Sequence, residues 1–426
     1  MNKKTNQILK EIINQIKPAE EELNEIKKHL NDFLKILKKE INIKKINVDI
    51  FVGGSFAKNT LIKKERYDID IFLRFNKKYK KENISKITSE ILSKFKNCEK
   101  IHGSRDYFRI NVNENLFFEI IPTIQIKKPE EAENITDLSF FHVKYIKRKA
   151  NSKKILEDIM IAKAFCQAKN CYGAESYIKG FSGYSLELLV YYYKGFEKFL
   201  KEISKIKTKE IIDIEKLHKN KSEILMNLNS SKLQSPIILI DPTYKQRNAL
   251  AALSEDTLKK FQKECKKFLK KPSKTHFEKQ KTNINKIMEN TRKKKLEFIL
   301  LEAKTDKQKG DIAGGKLLKF YNHLSDEISY FFKITNKGFN YNEKNSARFF
   351  FVAKNKKEII SEGPEINDKK NIKKFKKVHK NCFIKNNRIY SKEKINFNFK
   401  KYINDWKRKN KKKMSEMHIK DLKIVE

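Results

Sequence analysis

The sequence predicts an α/β + α multidomain fold: a mixed-sheet domain over residues 1–137, a helical domain over 138–272 and a basic α/β region over 273–426. Three observations carry this. Apolar residues alternate with period two in "INVDIFVGG", "YDIDIFLRF" and "YFRINVNENLFFEIIPTIQI", the pattern of strands with one buried face. From Leu138 they recur every three or four residues, as along the buried stripe of a helix. After about Pro272 charge rises, and "SYFFKIT" and "ARFFFVAK" restore strand character.

Taken in order, residues 1–45 read as amphipathic helix, with Leu9, Ile12, Ile13 and Ile16 at helical spacing and Pro18 restarting it. "INVDIFVGG" is a strand ending in a glycine turn, and "SFAKNTLI" a short helix with Ser55 at its N-cap. "YDIDIFLRF" is the second strand, and two more flank a polar turn at Asn113 to Asn115. "KKILEDIMIAKAFCQAKN" and "GYSLELLVYYYKGFEKFLKEI" are helical. "SPIILIDPTYKQRNALAALSEDTLKKFQKECKKFL" reads as an extended segment, a turn and a helix. "FEKQKTNINKIMENTRKKKLEFILLEA" combines a basic helix with a strand, and the tail "DWKRKNKKKMSEM" is a basic run with no core face. No repeat of fixed period is present.

Ninety-seven Lys+Arg against 53 Asp+Glu give a formal net charge of +44, which points to a polyanionic partner because each neutralised phosphate releases counterions. Lys, Asn and Ile are all abundant, so compositional bias contributes part of that charge. Cys98, Cys166, Cys171, Cys265 and Cys382 are scattered and odd in number, as expected of reduced thiols in a cytoplasmic protein rather than a disulfide framework. The Lys- and Glu-rich beginning lacks the apolar core of a signal peptide. The longest apolar run, Leu188 to Tyr193, is too short to cross a bilayer. A soluble protein with no membrane contact is expected.

The chemistry concentrates in "VGGSFAKNTLIKKERYDIDIF". On a strand, Asp68 and Asp70 point to one face while Ile69, Ile71 and Leu73 enter the core. Two carboxylates so placed repel unless a cation lies between them, and a divalent metal is the usual answer. Glu119, inside the apolar "LFFEIIPTI", supplies a third if its strand neighbours that of Asp68. Three such carboxylates suit two-metal phosphoryl or nucleotidyl transfer. Gly53, Gly54 and Ser55 offer backbone N–H groups to an anion, and Lys58 stands one turn along. Alone, Gly-Gly-Ser reads first as a capped turn and Asp-x-Asp as an edge-strand surface face; their combination, with Glu119 in an apolar strand downstream, favours a site.

These residues resemble the GS-x-x-(R/K)-x-T…(D/E)-x-D signature of the nucleotidyltransferase superfamily of DNA polymerase β. More narrowly, the chain is similar to archaeal, class I, CCA-adding tRNA nucleotidyltransferases. "FFHVKYI", "IAKAFCQAKNCYGAESYIKGFSGYSLELL", "IDPTYKQRNALAALS", "EGPEI" and "FIKNNRIY" resemble that family in the same order, over nearly the whole chain. The resemblance implies a polymerase β-like nucleotidyltransferase domain, a helical central domain with base contacts and a C-terminal α/β RNA-binding region. It implies Mg²⁺ ions on Asp68, Asp70 and Glu119, phosphate contacts from Gly54, Ser55 and Lys58, and nucleotide contacts from His142, Lys163, Tyr172 and Arg247. CTP and ATP would be the substrates and tRNA the partner, held by its acceptor and T arms on the basic C-terminal half; a homodimer is compatible with it. Three departures stand out: Glu119 where Asp is usual, Lys58 where Arg is frequent, and one extra residue between Ser55 and Asp68.

Outside the resemblance, His142 reads as a partly buried histidine, Lys163 as a snorkelling lysine, Tyr172 as a packing aromatic and Gly180, Gly183 and Tyr184 as a helix junction. Two other functions share the core motif: a poly(A) polymerase or 2′-5′ oligoadenylate synthetase, and an RNA-binding relative that has lost activity.

Overall fold

Pro18 ends one helix and three glutamates begin the next. In this computed structural model, which describes residues 3–103, 105–279 and 283–426, α1 (Lys3–Ile16) is followed by α2 (Glu20–Ile43). Glu20, Glu21 and Glu22 fill the first turn of α2, where acids complement the helix N-terminus, and Glu22 accepts the Ala19 N–H over 2.8 Å. Positions 1 and 2 of the expected helical stretch lie outside the described residues.

There follow β1 (Val48–Val52), α3 (Gly54–Ala57), β2 (Tyr67–Phe75), α4 (Lys81–Ile91), β3 (Cys98–Ile101), β4 (Tyr107–Asn113) and β5 (Leu116–Ile124). The strands form one sheet in the order β1-β2-β5-β4-β3, with β2 and β5 parallel and the other pairs antiparallel. Ile69, Ile71, Leu73 and Phe75 are fully buried in a core shared with Leu30, Phe33 and Leu37 of α2 and Ile84 and Ile91 of α4. Alternation therefore turns Asp68, Asp70, Phe72 and Arg74 to the opposite face. Ser55 is not a cap: α3 starts at Gly54 with Gly53 at its N-cap, because the chain bends through the left-handed region at Gly54, φ +63°. β3, with three of its four residues exposed, has no alternation by which sequence could have shown it.

The chain continues through α5 (Ser139–Lys149), α6 (Lys153–Ala168), α7 (Gly183–Tyr192), α8 (Phe196–Ile203), β6 (Glu210–Asp213), α9 (Lys221–Asn227), β7 (Ile237–Asp241), β8 (Tyr244–Asn248) and α10 (Glu255–Lys270). Ser152, Ser182 and Ser254 cap α6, α7 and α10 by accepting the N–H of Ile155, Ser185 and Thr257. β6, β7 and β8 form a small sheet, so the expected turn after "IILID" continues into a strand. Phe165, Phe181, Phe196, Phe199, Phe261 and Phe268 are fully buried at the centre of the helical core. Ile8, Leu9, Ile12 and Ile13 of α1 pack into this core, and Lys274 pairs with Glu11.

Residues 1–280 make one compact unit and 281–426 another. The second holds α11 (Ile284–Lys293), β9 (Glu297–Thr305), α12 (Asp311–Phe331), β10 (Phe332–Tyr341), β11 (Ser346–Asn355), β12 (Glu358–Glu365), α13 (Lys369–Val378), β13 (Cys382–Lys385), β14 (Arg388–Lys394), α14 (Phe399–Lys409), α15 (Lys411–Glu416) and β15 (Ile419–Ile424). Its sheets run β10-β11-β9-β15 and β12-β14-β13. The basic helix expected before β9 is α11; residues 280–282 of that stretch lie outside the described residues. "SYFFKIT" is not one strand, since Ser329 to Phe331 close α12 and the strand starts at Phe332. The tail does have a core face: Trp406 is 5% exposed and Met414 6%, both packed among Phe320, Phe349 and Phe399. The flanking lysines of "DWKRKNKKKMSEM" dilute that apolar spacing in the sequence. Among the described residues no helix is long and apolar enough to cross a membrane.

Candidate active site

The parallel register of β2 and β5 pairs Asp70 with Glu119 and Asp68 with Phe117. All three carboxylates thus share the sheet face opposite the α2–α4 core. Lys64 donates to Asp68 Oδ1. Arg109, directly across from Glu119 on β4, donates to Glu119 Oε1 over 2.8 Å. The Asp70 carboxylate has no hydrogen-bond or ion-pair partner among the described residues, and burial, then Glu119 and Asp68, push it up to about 7. Burial likewise raises the Glu119 carboxyl, with Arg109 opposing it. Gly54 lies against this centre: a Cβ there would fall 1.7 Å from Asp70 Oδ2, so only glycine fits.

Asp68 and Glu119, on the same face as the uncompensated Asp70 carboxylate, bring hard oxygen donors of the kind a divalent cation takes. In the present arrangement Lys64 and Arg109 stand in for that positive charge. Among the described residues no three His, Cys, Asp or Glu side chains are gathered closely enough to hold an ion.

A second cluster forms where α3, α6 and α7 meet. Lys58 Nζ donates to Glu187 Oε2 over 2.6 Å, and Lys163 Nζ to Glu187 Oε1 and Thr60 Oγ1 over 2.8 Å each. The Thr60 hydroxyl donates to Glu187 Oε1 over 3.1 Å. A fully buried carboxylate is tolerated only with such partners. Burial alone would raise Glu187, but the charges of Lys163 and Lys58 outweigh it and hold the carboxyl down to about 2. Burial lowers the Lys163 ammonium to about 8 although Glu187 supports its charge. The cluster carries two lysines and one carboxylate, a local excess of one positive charge beside the Asp70–Glu119 row. Ser55 is half-buried in the same turn, its carbonyl accepting the Thr60 N–H over 3.0 Å.

A third cluster centres on Asp241, which ends β7 and is fully buried. Arg247 donates to Asp241 Oδ2 over 2.6 Å, and His142 Nε2 lies 2.9 Å from the same oxygen. Tyr184 donates to Oδ1 over 3.0 Å, joined by the Thr243 N–H and hydroxyl. The His142 and Tyr184 rings stack with centroids 3.9 Å apart. Burial would raise Asp241, but His142 and Arg247 keep it well below the usual carboxylate range. Burial holds His142 below its ordinary value against the pull of Asp241, so the ring is neutral at pH 7 and Arg247 supplies the countercharge. An ionised Asp241 only accepts, so Nε2 of that neutral ring carries the proton and Nδ1 is an acceptor.

Tyr172 is half-buried with its hydroxyl against Gly183, where a Cβ would lie 2.8 Å away; burial raises its pKa, keeping the O–H a donor. Electrostatics join the clusters: Tyr172 feels Glu187 and Asp68, while Lys58 acts on both Asp70 and His142. Sequence reasoning gave no role to Glu187, Asp241 or Arg109. The signal that singled out Glu119, an acid inside an apolar run, was equally present in "SLELLV" and "IILIDP". Tyr184, read as part of a helix junction, is a member of the Asp241 cluster.

The fold and these clusters define a nucleotidyltransferase. A family model described as a nucleotidyltransferase domain matches residues 30–158, and one described as the second domain of tRNA nucleotidyltransferase matches residues 157–278. The CCA-adding enzyme of Nanoarchaeum equitans is 44% identical over 241 residues, covering 56% of this chain and 59% of that protein. That of Saccharolobus islandicus is 30% identical over 328 residues, covering 76% of this chain and 72% of that protein. This chain belongs to the archaeal CCA-adding enzyme family. Among solved structures, the Cid1 poly(U) polymerase bound to Mg and 3′-dATP has a TM-score of 0.53 at 13% identity, covering 66% of this chain and all of that one. A cytoplasmic RNA terminal U-transferase has a TM-score of 0.52 at 12% identity with the same coverage. These two likenesses concern the fold alone.

Proposed function

We propose that this chain adds C, C and A in turn to the 3′ end of tRNA without a nucleic-acid template, from CTP and ATP. The tRNA 3′ oxygen bonds to the nucleotide α-phosphorus as the bond to the β-phosphate oxygen breaks, and pyrophosphate leaves. Asp68, Asp70 and Glu119 would hold Mg²⁺, which when bound lowers the hydroxyl's pKa and offsets charge on the departing pyrophosphate. Lys58 and Lys163 hold the triphosphate, with the N–H groups at Gly54 and Ser55 beside them. Their excess positive charge acts in a buried setting where water competes little. Arg247 and His142, fixed by Asp241, offer the base guanidinium donors and a ring acceptor, and Tyr172 packs alongside. The basic residues 273–426 take the acceptor and T arms through phosphate and 2′-OH contacts.

One observation carries the reading: the in-register pair Asp70–Glu119 lies next to two lysines that converge from different elements on Glu187. Family membership supports the choice of CCA addition over other nucleotidyl transfers. The test incubates the protein with Mg²⁺ and tRNA transcripts ending before, within and after C-C, supplied with CTP, ATP or both. C, C, then A, stopping there and lost in Asp70→Ala, is the expected product series. An A-only or U-only ladder would reassign the chain to another branch of the superfamily. Binding of tRNA without extension would make it an inactive relative.

A further inference from the structure

Glu119 is shared between two neighbours. In register it lies between Asp70 on β2 and Arg109 on β4, so the three residues form one row across the sheet, on one face. The outer member holds it: a single Arg109 N–H reaches Glu119 Oε1 over 2.8 Å. The guanidinium also lies 4.5 Å from the centre of the Phe117 ring, which occupies the next row beside Asp68. Arg109 Nε is buried with no hydrogen-bond partner, so this seat leaves the guanidinium incompletely satisfied. Among the described residues the carboxylate of the inner member, Asp70, makes no ion pair, and Lys58 and Lys64 act on it only through space.

We propose that Arg109 and a divalent cation are alternative occupants of the Glu119 carboxylate, so that Arg109 sets the metal affinity of the site. The inference rests on the assignment of Asp68, Asp70 and Glu119 as metal ligands. Arg109 engages Oε1 of Glu119, whereas an ion shared by Asp70 and Glu119 needs that carboxylate released to it. The extra methylene of Glu over Asp supplies the reach for both positions. Glu119 is 20% exposed and Arg109 27%, a part-buried pair joined by a single N–H, so exchange of Arg109 for an ion breaks one hydrogen bond. Three carboxylates against Lys64 and Arg109 leave one negative charge, which a divalent ion reverses; release of Arg109 restores coordination without leaving Glu119 bare.

Mn²⁺ binding to the full chain, without nucleotide or RNA, is measured from the electron paramagnetic resonance of free Mn²⁺. Arg109→Gln is expected to bind Mn²⁺ about two- to fivefold more tightly than wild type, with an unchanged far-UV circular dichroism spectrum. Phe117→Leu, which removes the ring under the guanidinium, should shift affinity in the same direction and serves if the first variant does not fold. Asp70→Asn should weaken binding. Unchanged or weaker binding in Arg109→Gln, with Asp70→Asn still weakened, would overturn the competition alone and make Arg109 a support for the ligand. Unchanged binding in Asp70→Asn would overturn the metal assignment together with it.

Discussion

Lys163 donates to Glu187 across 2.8 Å at a place where neither side chain meets solvent. Glu187→Gln strips the charge that compensates both Lys163 and Lys58. Leaving buried cations unpaired is expected to cost about 3 kcal/mol, read as a lower urea midpoint. The released lysines should also misplace the triphosphate, raising KM for CTP and ATP together while KM for tRNA stays put. A midpoint equal to wild type would remove Glu187 from the role of anchor.

The same pair fixes the response to pH. Glu187 is held down to about 2 from an ordinary 4.5, so its contribution to stability is complete above 4.5 and is lost as pH falls toward 2. Lys163 is lowered to about 8 from an ordinary 10.5, so the unfolded chain takes up its proton first as pH falls and the fold loses stability between 10.5 and 8. For substrate the direction is opposite, because only the protonated amine attracts phosphate. Nucleotide KM should therefore climb above about pH 8, approaching tenfold per pH unit. Lys163→Arg, whose guanidinium keeps its proton, should flatten that limb.

Asp241 is the shared acceptor of Arg247, His142 and Tyr184. Asp241→Asn keeps the volume but presents an N–H₂ where the cluster needs an acceptor. It should cost about 2 kcal/mol in kcat/KM for the correct nucleotide and narrow the preference for CTP and ATP over UTP and GTP. Competition assays at single-nucleotide resolution measure the ratio. An unaltered ratio with lowered kcat would mean that the cluster supports the fold rather than the base.

Trp406 anchors α14 among Phe320 and Tyr402 and donates its indole N–H to Glu327 over 3.1 Å. Trp406→Ala should destabilise residues 283–426 by about 3–5 kcal/mol, seen as early loss of near-UV circular dichroism. CTP affinity, assigned by the proposed function to residues before 280, should change little.

What sequence could reveal divides along physical lines. Asp68, Asp70 and Glu119 were legible because a strand's period of two assigns each side chain to a face. Gly54 and Lys58 emerged from the glycine turn and its spacing, and the expected nucleotide contacts His142, Lys163, Tyr172 and Arg247 from resemblance alone. Glu187 took no role because its partners lie 24 to 129 residues away, and Asp241 because, beside the nearby Arg247 and Thr243, it serves Tyr184 and His142, 57 and 99 residues away, which no local pattern encodes. Arg109 was invisible until the β4–β5 register placed it opposite Glu119. Short elements failed for another reason: β3, β6 and β8 hold four or five residues each, too few for alternation to stand out. At Phe331–Phe332 a helix passes directly into a strand, so one aromatic run served two periodicities.

The placement of α1 bears on how the chain is made. Leu9, Ile12 and Ile13 are made well before the helical core that covers them and the lysine that pairs with Glu11, both encoded far downstream. Until that length has left the ribosome, α1 is an apolar stripe without a partner, the sort of surface that chaperones retain and that nascent chains share with one another. The parallel pairing of β2 with β5 and the cover from α2 and α4 need only residues up to Ile124, so the sheet can assemble while α1 still waits. α1 therefore completes its packing only after the residues that follow the sheet have been made.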